Sequence, residues 1–278
     1  MARTLLDGIV GLLFCLLVGV PAILLGLLAS HSGLLPGAQW WHWAMIPPAM
    51  LVFLLGLLLT ATLIRFLLPR LKAGDYPFPR HRQSFVWLLH FSLQRLMYLP
   101  LWRHFMFSFS TLRWLLLHAL GAKAAFEMDT SSDVLMLDLP MIELGAGTMI
   151  GAGCTLSGHL IENQRLFLGK VRIARGVQVA SSVVIGPGTV IGEHSIIGPE
   201  CRIARDVSIG EFAHLGAACY LSAGVRVGDN AVLGHQVSVD ANVTIGAGAV
   251  IETGTRLARG TAIGPGEHFP ARQRRQEA

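Results

Sequence analysis

Three hydrophobic regimes follow one another along the chain. Ile9–Ala29 and Trp43–Ile64 are runs of 21 and 22 residues without a charged side chain. A helix needs about 20 apolar residues to cross a bilayer core, so both runs predict membrane-spanning helices. Pro47 and Pro48 stand near the start of the second run, where proline costs least. A cleaved signal peptide competes for the first run, but its apolar core would be too long and no small-x-small site follows. Residues 84–120 are apolar again, yet Arg95, Arg103 and Arg113 interrupt them. That pattern predicts two amphipathic helices, broken near Pro100 and lying in the headgroup layer. The competing reading is a helical hairpin packed on the next domain.

The third regime has a period of six. From Ile173 to Ile263, sixteen consecutive positions at steps of six are all Ile, Leu or Val. Gly, Ala or Ser follows each of them except at Asp240 and Glu252. Two places before each aliphatic stands a small residue, as at Val177, Thr189, Ser195, Cys201 and Cys219. Leu144, Ile150 and Leu156 repeat the step upstream. Six matches neither the 3.6 of a helix nor the alternation of a flat strand. It fits a short strand and a tight corner, three to a coil, with the aliphatic and the small residue both pointing inward. Coils would stack at about 4.8 Å and pair through their backbones. Glycine after the aliphatic is expected to serve a corner of positive φ. The nineteen hexads predict a left-handed parallel β-helix of about six coils. The register breaks once: Leu156 to Ile173 is 17 residues, not a multiple of six. The break, Ser157 to Lys170, holds His159, Glu162 and Arg165. Insertions in a solenoid map to loops on one face, often the binding face.

Composition sharpens this division. The 278 residues are 53% hydrophobic and 14% charged, against about 25% charged in an ordinary soluble domain. A disordered chain and a nucleic-acid-binding tail are excluded. The apolar residues form two populations, one facing lipid before about residue 120, the other facing a dry core after about residue 142. The net charge of +5 concentrates between Arg65 and Lys123, which hold nine Lys or Arg and one acid, Asp75, while Ser30–His42 holds no Lys or Arg. The positive-inside rule then puts both termini and the β-helix in the cytoplasm. The implied polyanion is anionic lipid, not nucleic acid. Four cysteines with no CxxC pair make neither a disulfide framework nor a zinc site. Cys154, Cys201 and Cys219 fall on the inward small position as core filler. His194, His214 and His235 occupy outward positions and read as surface, and no spacing suggests a metal. Gly-x-Gly steps belong to the hexads and not to a phosphate loop.

These hexads resemble the hexapeptide-repeat acyltransferases. The stretch from Leu120 to Ile173 also resembles the membrane-anchored β-helix modules of poly-amino-acid synthetases of the ε-poly-lysine type. Leu120-Gly121-Ala122, a strand bearing Asp138, His159 with Glu162, and Val171-Arg172-Ile173 carry that resemblance. With Arg65 onward it covers roughly three quarters of the chain. One such module and no adenylation or carrier domain stand in the 278 residues, so the expectation is a stand-alone acyltransferase. The resemblance implies an acyl thioester co-substrate, acetyl-CoA or a carrier-protein pantetheine, and no metal. It implies a homotrimer, and a histidine that takes the acceptor's proton, a task suited to a group titrating near neutral pH. His159 is the candidate base, with Glu162 or Asp138 to orient it. Arg165, Arg272, Arg274 and Arg275 are weaker candidates for meeting a phosphate. The expected organisation is a two-helix anchor at 1–72, interfacial helices at 73–123, the β-helix at 124–264 and a basic tail at 265–278. Such an inner-membrane protein would work on an acceptor hydroxyl or amine, or beside a biosynthetic partner enzyme or carrier protein. The rival readings are a non-catalytic scaffold and an aminoacyl transferase fed by a carrier protein.

Overall fold

The computed structural model describes residues 46–97 and 100–270, together with Val20, Pro21, Ile23, Leu24 and Leu27. Most of the first expected span, Cys15, and the tail's Arg272, Arg274 and Arg275 lie outside the described residues. Among the described residues from 46 onward, four helices lead in: α1 (Ile46–Leu67), α2 (Arg82–Met97), α3 (Pro100–Ser108) and α4 (Ser110–Ala119). Among the described residues, Ala49–Leu67 of α1 is the one stretch long and apolar enough to cross a membrane. The region expected to form two helices forms three. The break before Pro100 is where the pattern put it, and a second falls at Phe109, whose backbone is extended at φ −119° and ψ 122°.

The remainder is a three-sided parallel solenoid. Paired residues lie 18 apart, one coil of three hexads: Arg172 pairs with Val190, Val190 with Ser208, and Ser208 with Arg226. Two faces have eight strands and the third has seven, so there are about eight coils rather than six. The extra strands come from the ends, three in a first coil and one after the last hexad. The first coil, residues 123–137, puts Ala124, Thr130 and Met136 where later coils put aliphatics, pairing with Leu144, Ile150 and Leu156. Ala and Thr hide that coil from a search for Ile, Leu and Val. Met136 to Leu144 is also eight residues, because a short 3-10 turn at Leu139–Met141 intervenes. At the other end, His268–Phe269 still pairs with Val250–Ile251.

The glycine after each aliphatic has a different role from the one expected. At Gly192 a Cβ would lie 2.5 Å from the carbonyl carbon of Gly210 in the next coil. Close stacking of the backbones excludes a side chain there. The positive φ falls two residues later, at His194 (56°), and at the same hexad position in Glu200, Asp206 and Phe212.

One core runs through helices and solenoid. Leu54 and Leu58 of α1, Leu116 and Leu117 of α4, and Met128 and Met136 of the first coil belong to the same buried cluster as Ile185 and Ile263. The helices therefore cover the open end of the first coil, as terminal units of a repeat array must. Arg113, expected to face lipid, is buried in this cap. It pairs with Asp129 at 3.0 Å and donates to the Met128 carbonyl at 3.0 Å. A buried cation is tolerated only when paired in this way.

The register break is a hairpin. Ile173 stacks on Leu144, 29 residues back instead of 18, so eleven residues leave the coil. Strands β2 (His159–Glu162) and β3 (Arg165–Leu168) pair antiparallel, and β1 (Gly74–Pro77) adds to the far side of β3. Asn163 and Gln164 form the two-residue turn, both at positive φ (48° and 56°), which suits the twist of a tight hairpin. Trp87, Leu166 and Leu168 make a small separate core beneath it, with Phe78 and Phe91 alongside.

Candidate active site

The hairpin delivers His159 to the second coil. Its Nδ1 lies 2.5 Å from Oδ2 of Asp138, whose side chain is wholly buried, while 16% of the His159 side chain stays exposed. Asp138 follows the strand Leu135–Leu137 and starts the 3-10 turn. Its φ of 62° is a left-handed conformation in which aspartate is among the less costly residues. Its carbonyl accepts the Met141 N–H at 2.7 Å. Gly158 lets the two meet, since a Cβ there would lie 2.7 Å from the Met141 Cβ and 3.0 Å from the Asp138 Cβ.

The second carboxylate oxygen, Oδ1, accepts the Trp87 indole N–H at 2.7 Å. The Trp87 and Phe91 rings lie against the imidazole, with centroids 4.8 and 5.9 Å away. Gln94, one turn further along α2, brackets the Asp138 backbone. Its Nε2 donates to the Met136 carbonyl at 2.5 Å and its Oε1 accepts the Leu139 N–H at 3.0 Å. His90, between Trp87 and Phe91 in sequence, donates its Nε2–H to the Pro69 carbonyl at 2.9 Å. Burial holds the His90 pKa below its ordinary value, and the charge of Arg65 adds to this against the opposing charge of Asp138. The arrangement suits proton transfer. An ionised carboxylate only accepts, so it fixes the proton on Nδ1 and leaves the Nε2 lone pair for a substrate.

The other candidates lie elsewhere. Glu162 is exposed at the hairpin tip, across from Arg165 in the strand pairing, and Asp138 takes the place beside His159 that Glu162 was weighed for. Arg165 is bound to Asp75 of β1 at 2.9 Å. The guanidinium of Arg205 lies 5.0 Å from the Phe167 ring centroid and closes a small cavity of about 100 Å³ with those residues. His194 stacks on Phe212, and His235 Nδ1 accepts the Ala217 N–H at 2.9 Å. Among the described residues no group of three or more His, Cys, Asp and Glu side chains converges as metal ligands would. The sequence did not single out Trp87 or Gln94. They lie 51 and 44 residues from Asp138 and carry no motif; their one signal is the i, i+4, i+7 spacing of Trp87, Phe91 and Gln94 on a helix.

Two family models match the solenoid: bacterial transferase hexapeptide (six repeats) at residues 170–205, and hexapeptide repeat of succinyl-transferase at residues 206–241. No curated protein matches the chain significantly. Solved structures similar to it include UDP-N-acetylglucosamine O-acyltransferase from Moraxella catarrhalis, at 14% identity over 50% of this chain and 65% of that one, with a TM-score of 0.33. The acetyltransferase domain of PglB from Neisseria gonorrhoeae, in complex with acetyl coenzyme A, is 16% identical over 58% of this chain and 62% of that one, with a TM-score of 0.26. A mutant GDP-perosamine N-acetyltransferase from Caulobacter crescentus, in complex with CoA and GDP-perosamine, is 22% identical over 57% of this chain and 58% of that one, with a TM-score of 0.22. The chain thus spans under two thirds of the length of each of these structures. Residues 170–241 thus carry hexapeptide repeats of the kind found in bacterial transferases.

Proposed function

We propose that the chain is a membrane-anchored acyltransferase whose general base is His159, oriented by Asp138. The observation that carries this reading is the pairing of His159 Nδ1 with a buried carboxylate where the hairpin interrupts the repeat. An acceptor hydroxyl or amine attacks the carbonyl carbon of an acyl thioester, acetyl-CoA or another acyl donor. The new C–O or C–N bond forms as the acceptor's proton passes to Nε2. The C–S bond then breaks, and the departing thiolate takes that proton. The solenoid is left-handed and assembles as a homotrimer, which buries its flat sides in a closed ring.

The helix α1 supports the anchor. Leu55, Leu59, Leu63 and Phe66 are exposed along it while Leu54, Leu57, Leu58 and Ala61 are packed inside. With the basic residues that follow it, α1 sets the β-helix on the cytoplasmic side of the inner membrane against anionic lipid. The acceptor is accordingly a molecule at that surface. Glu162 and Arg165 act at the hairpin tip, away from proton transfer.

The test uses the full chain in vesicles with labelled acetyl-CoA and a membrane lipid extract as acceptor pool. His159→Ala is expected to abolish labelled product while trimer and vesicle association persist. Unchanged labelling by that variant would favour the scaffold reading. If the purified protein does not bind acetyl-CoA without a carrier protein, the aminoacyl-transferase reading gains instead.

A further inference from the structure

We infer that Trp87, on a helix outside the solenoid, is a positioning residue for His159: its indole N–H fixes which oxygen of Asp138 faces the imidazole. The inference rests on His159 acting as the base.

A carboxylate with two free oxygens has no reason to present a particular one, and a buried carboxylate needs both satisfied. Here Oδ1 is committed to Trp87 at 2.7 Å and Oδ2 is left for His159. A buried indole N–H is ordinarily satisfied by a nearby backbone carbonyl, as Trp114 is by the Ala124 carbonyl at 3.1 Å. The Trp87 N–H instead reaches a side chain 51 residues away, and the ring that carries it also packs on the imidazole. Gln94, 4% exposed on the same face of α2, makes the geometry unique by binding the backbone on both sides of Asp138. Neither residue lies within the matched repeats, 170–205 and 206–241. The solenoid alone is therefore an incomplete site, and α2 completes it.

The indole has an electrostatic consequence as well. A donor on Oδ1 stabilises the carboxylate's charge and makes Oδ2 a weaker acceptor. Without it, Oδ2 draws the Nδ1 proton harder, and the imidazolium is favoured. His90 on α2 lies within the field of Asp138 and of Arg65 on α1; both groups remain in every variant below.

The experiment is carbethoxylation of the detergent-solubilised full chain with diethyl pyrocarbonate, which attacks histidine only when its imidazole is neutral. Modification of the peptide containing His159 is followed by mass spectrometry from pH 5 to pH 9. In Trp87→Phe the pH of half-maximal rate for His159 is expected to rise by about one unit. Replacing Trp87 by its benzothiophene analogue, which keeps the ring and lacks the N–H, is expected to give the same rise. The analogue decides the matter if Trp87→Phe does not fold. A half-maximal pH equal to that of the wild type in the analogue overturns the inference. Failure of the base reading is separate: it would appear as acyl transfer surviving in His159→Ala, whatever the carbethoxylation profile.

Discussion

The small inward residue two places before each aliphatic does more than leave room. At four such positions the hydroxyl or thiol donates to the backbone carbonyl fifteen residues on: Thr189 to Ala204 (3.1 Å), Ser195 to Gly210 (2.7 Å), Cys201 to Gly216 (3.1 Å) and Cys219 to Gly234 (3.0 Å). Upstream of the hairpin the same bonds span 26 residues, from Thr148 to Ala174 (2.9 Å) and Cys154 to Ala180 (2.9 Å), because eleven residues have left the coil. The thiols are thus core donors; burial pushes the Cys154 pKa up, and contact with the Cys219 thiol, with burial adding to it, pushes that of Cys201 up, against a nucleophilic role for either. Ser195 also accepts the Ala213 N–H at 3.0 Å. Ser195→Ala leaves two buried backbone groups unpaired and is expected to cost about 1–3 kcal/mol of unfolding free energy. Thr255 is the internal control: its hydroxyl is buried without a partner, so Thr255→Val is expected to cost nothing or to stabilise. Urea unfolding of the two variants checks this, and equal losses would refute the bonding rule.

At the scale of elements, α2 is the piece that joins α1 to the turn at Asp138. His90 ties it to the Pro69 carbonyl just after α1, and Trp87 and Gln94 tie it to the turn at Asp138. Because burial lowers the His90 pKa, the unfolded chain binds the extra proton between the folded value and about 6.5, the ordinary histidine value. The stability due to neutral His90 is therefore complete above that pH and declines as pH falls below it. Glu143 acts in a lower window. Its pKa is depressed chiefly by the hydrogen bond from Lys170, with Lys123 and Arg172 adding their charges, so its contribution is lost only as pH drops through the depressed carboxylate range. The thermal midpoint should fall between pH 7 and pH 5, and His90→Gln should flatten that fall. An unaltered pH dependence in the variant would show that α2 is not held this way. The sequence made the hexads and the odd interval at the hairpin legible, because stacking imposes a period that can be counted. It did not reveal the first coil, whose inward Ala124 and Thr130 break the aliphatic rule. Asp138 was within reach as a candidate, but its partner Trp87 was not, since tertiary packing of a helix alone brings them together.

At the scale of the whole molecule, the site lies at the solenoid end nearest the helices. Arg65, close to the end of α1, donates to the Ala119 carbonyl at 2.9 Å. A Cβ on Gly121 would lie 3.2 Å from both the Arg65 side chain and Pro140, two residues beyond Asp138. On the proposed reading, with α1 in the bilayer, this places the His159–Asp138 pair close beneath the membrane surface and suits an acceptor held there. The basic region is partly internal, since Arg113 is spent on Asp129, so on the proposed reading the exposed cations would carry the attraction to lipid. The central claim concerns the pair itself, and Asp138→Asn tests it most directly. With its oxygen held by Trp87, the amide would turn its NH2 toward Nδ1, and the imidazole would carry its proton on Nε2, where the base must be free. The loss known for the equivalent change in a Ser-His-Asp triad is roughly 10⁴-fold. Labelled acyl transfer by the full chain in vesicles should fall by about 10³-fold or more in Asp138→Asn, with oligomeric state and circular dichroism unchanged. A rate within threefold of the wild type would contradict the account.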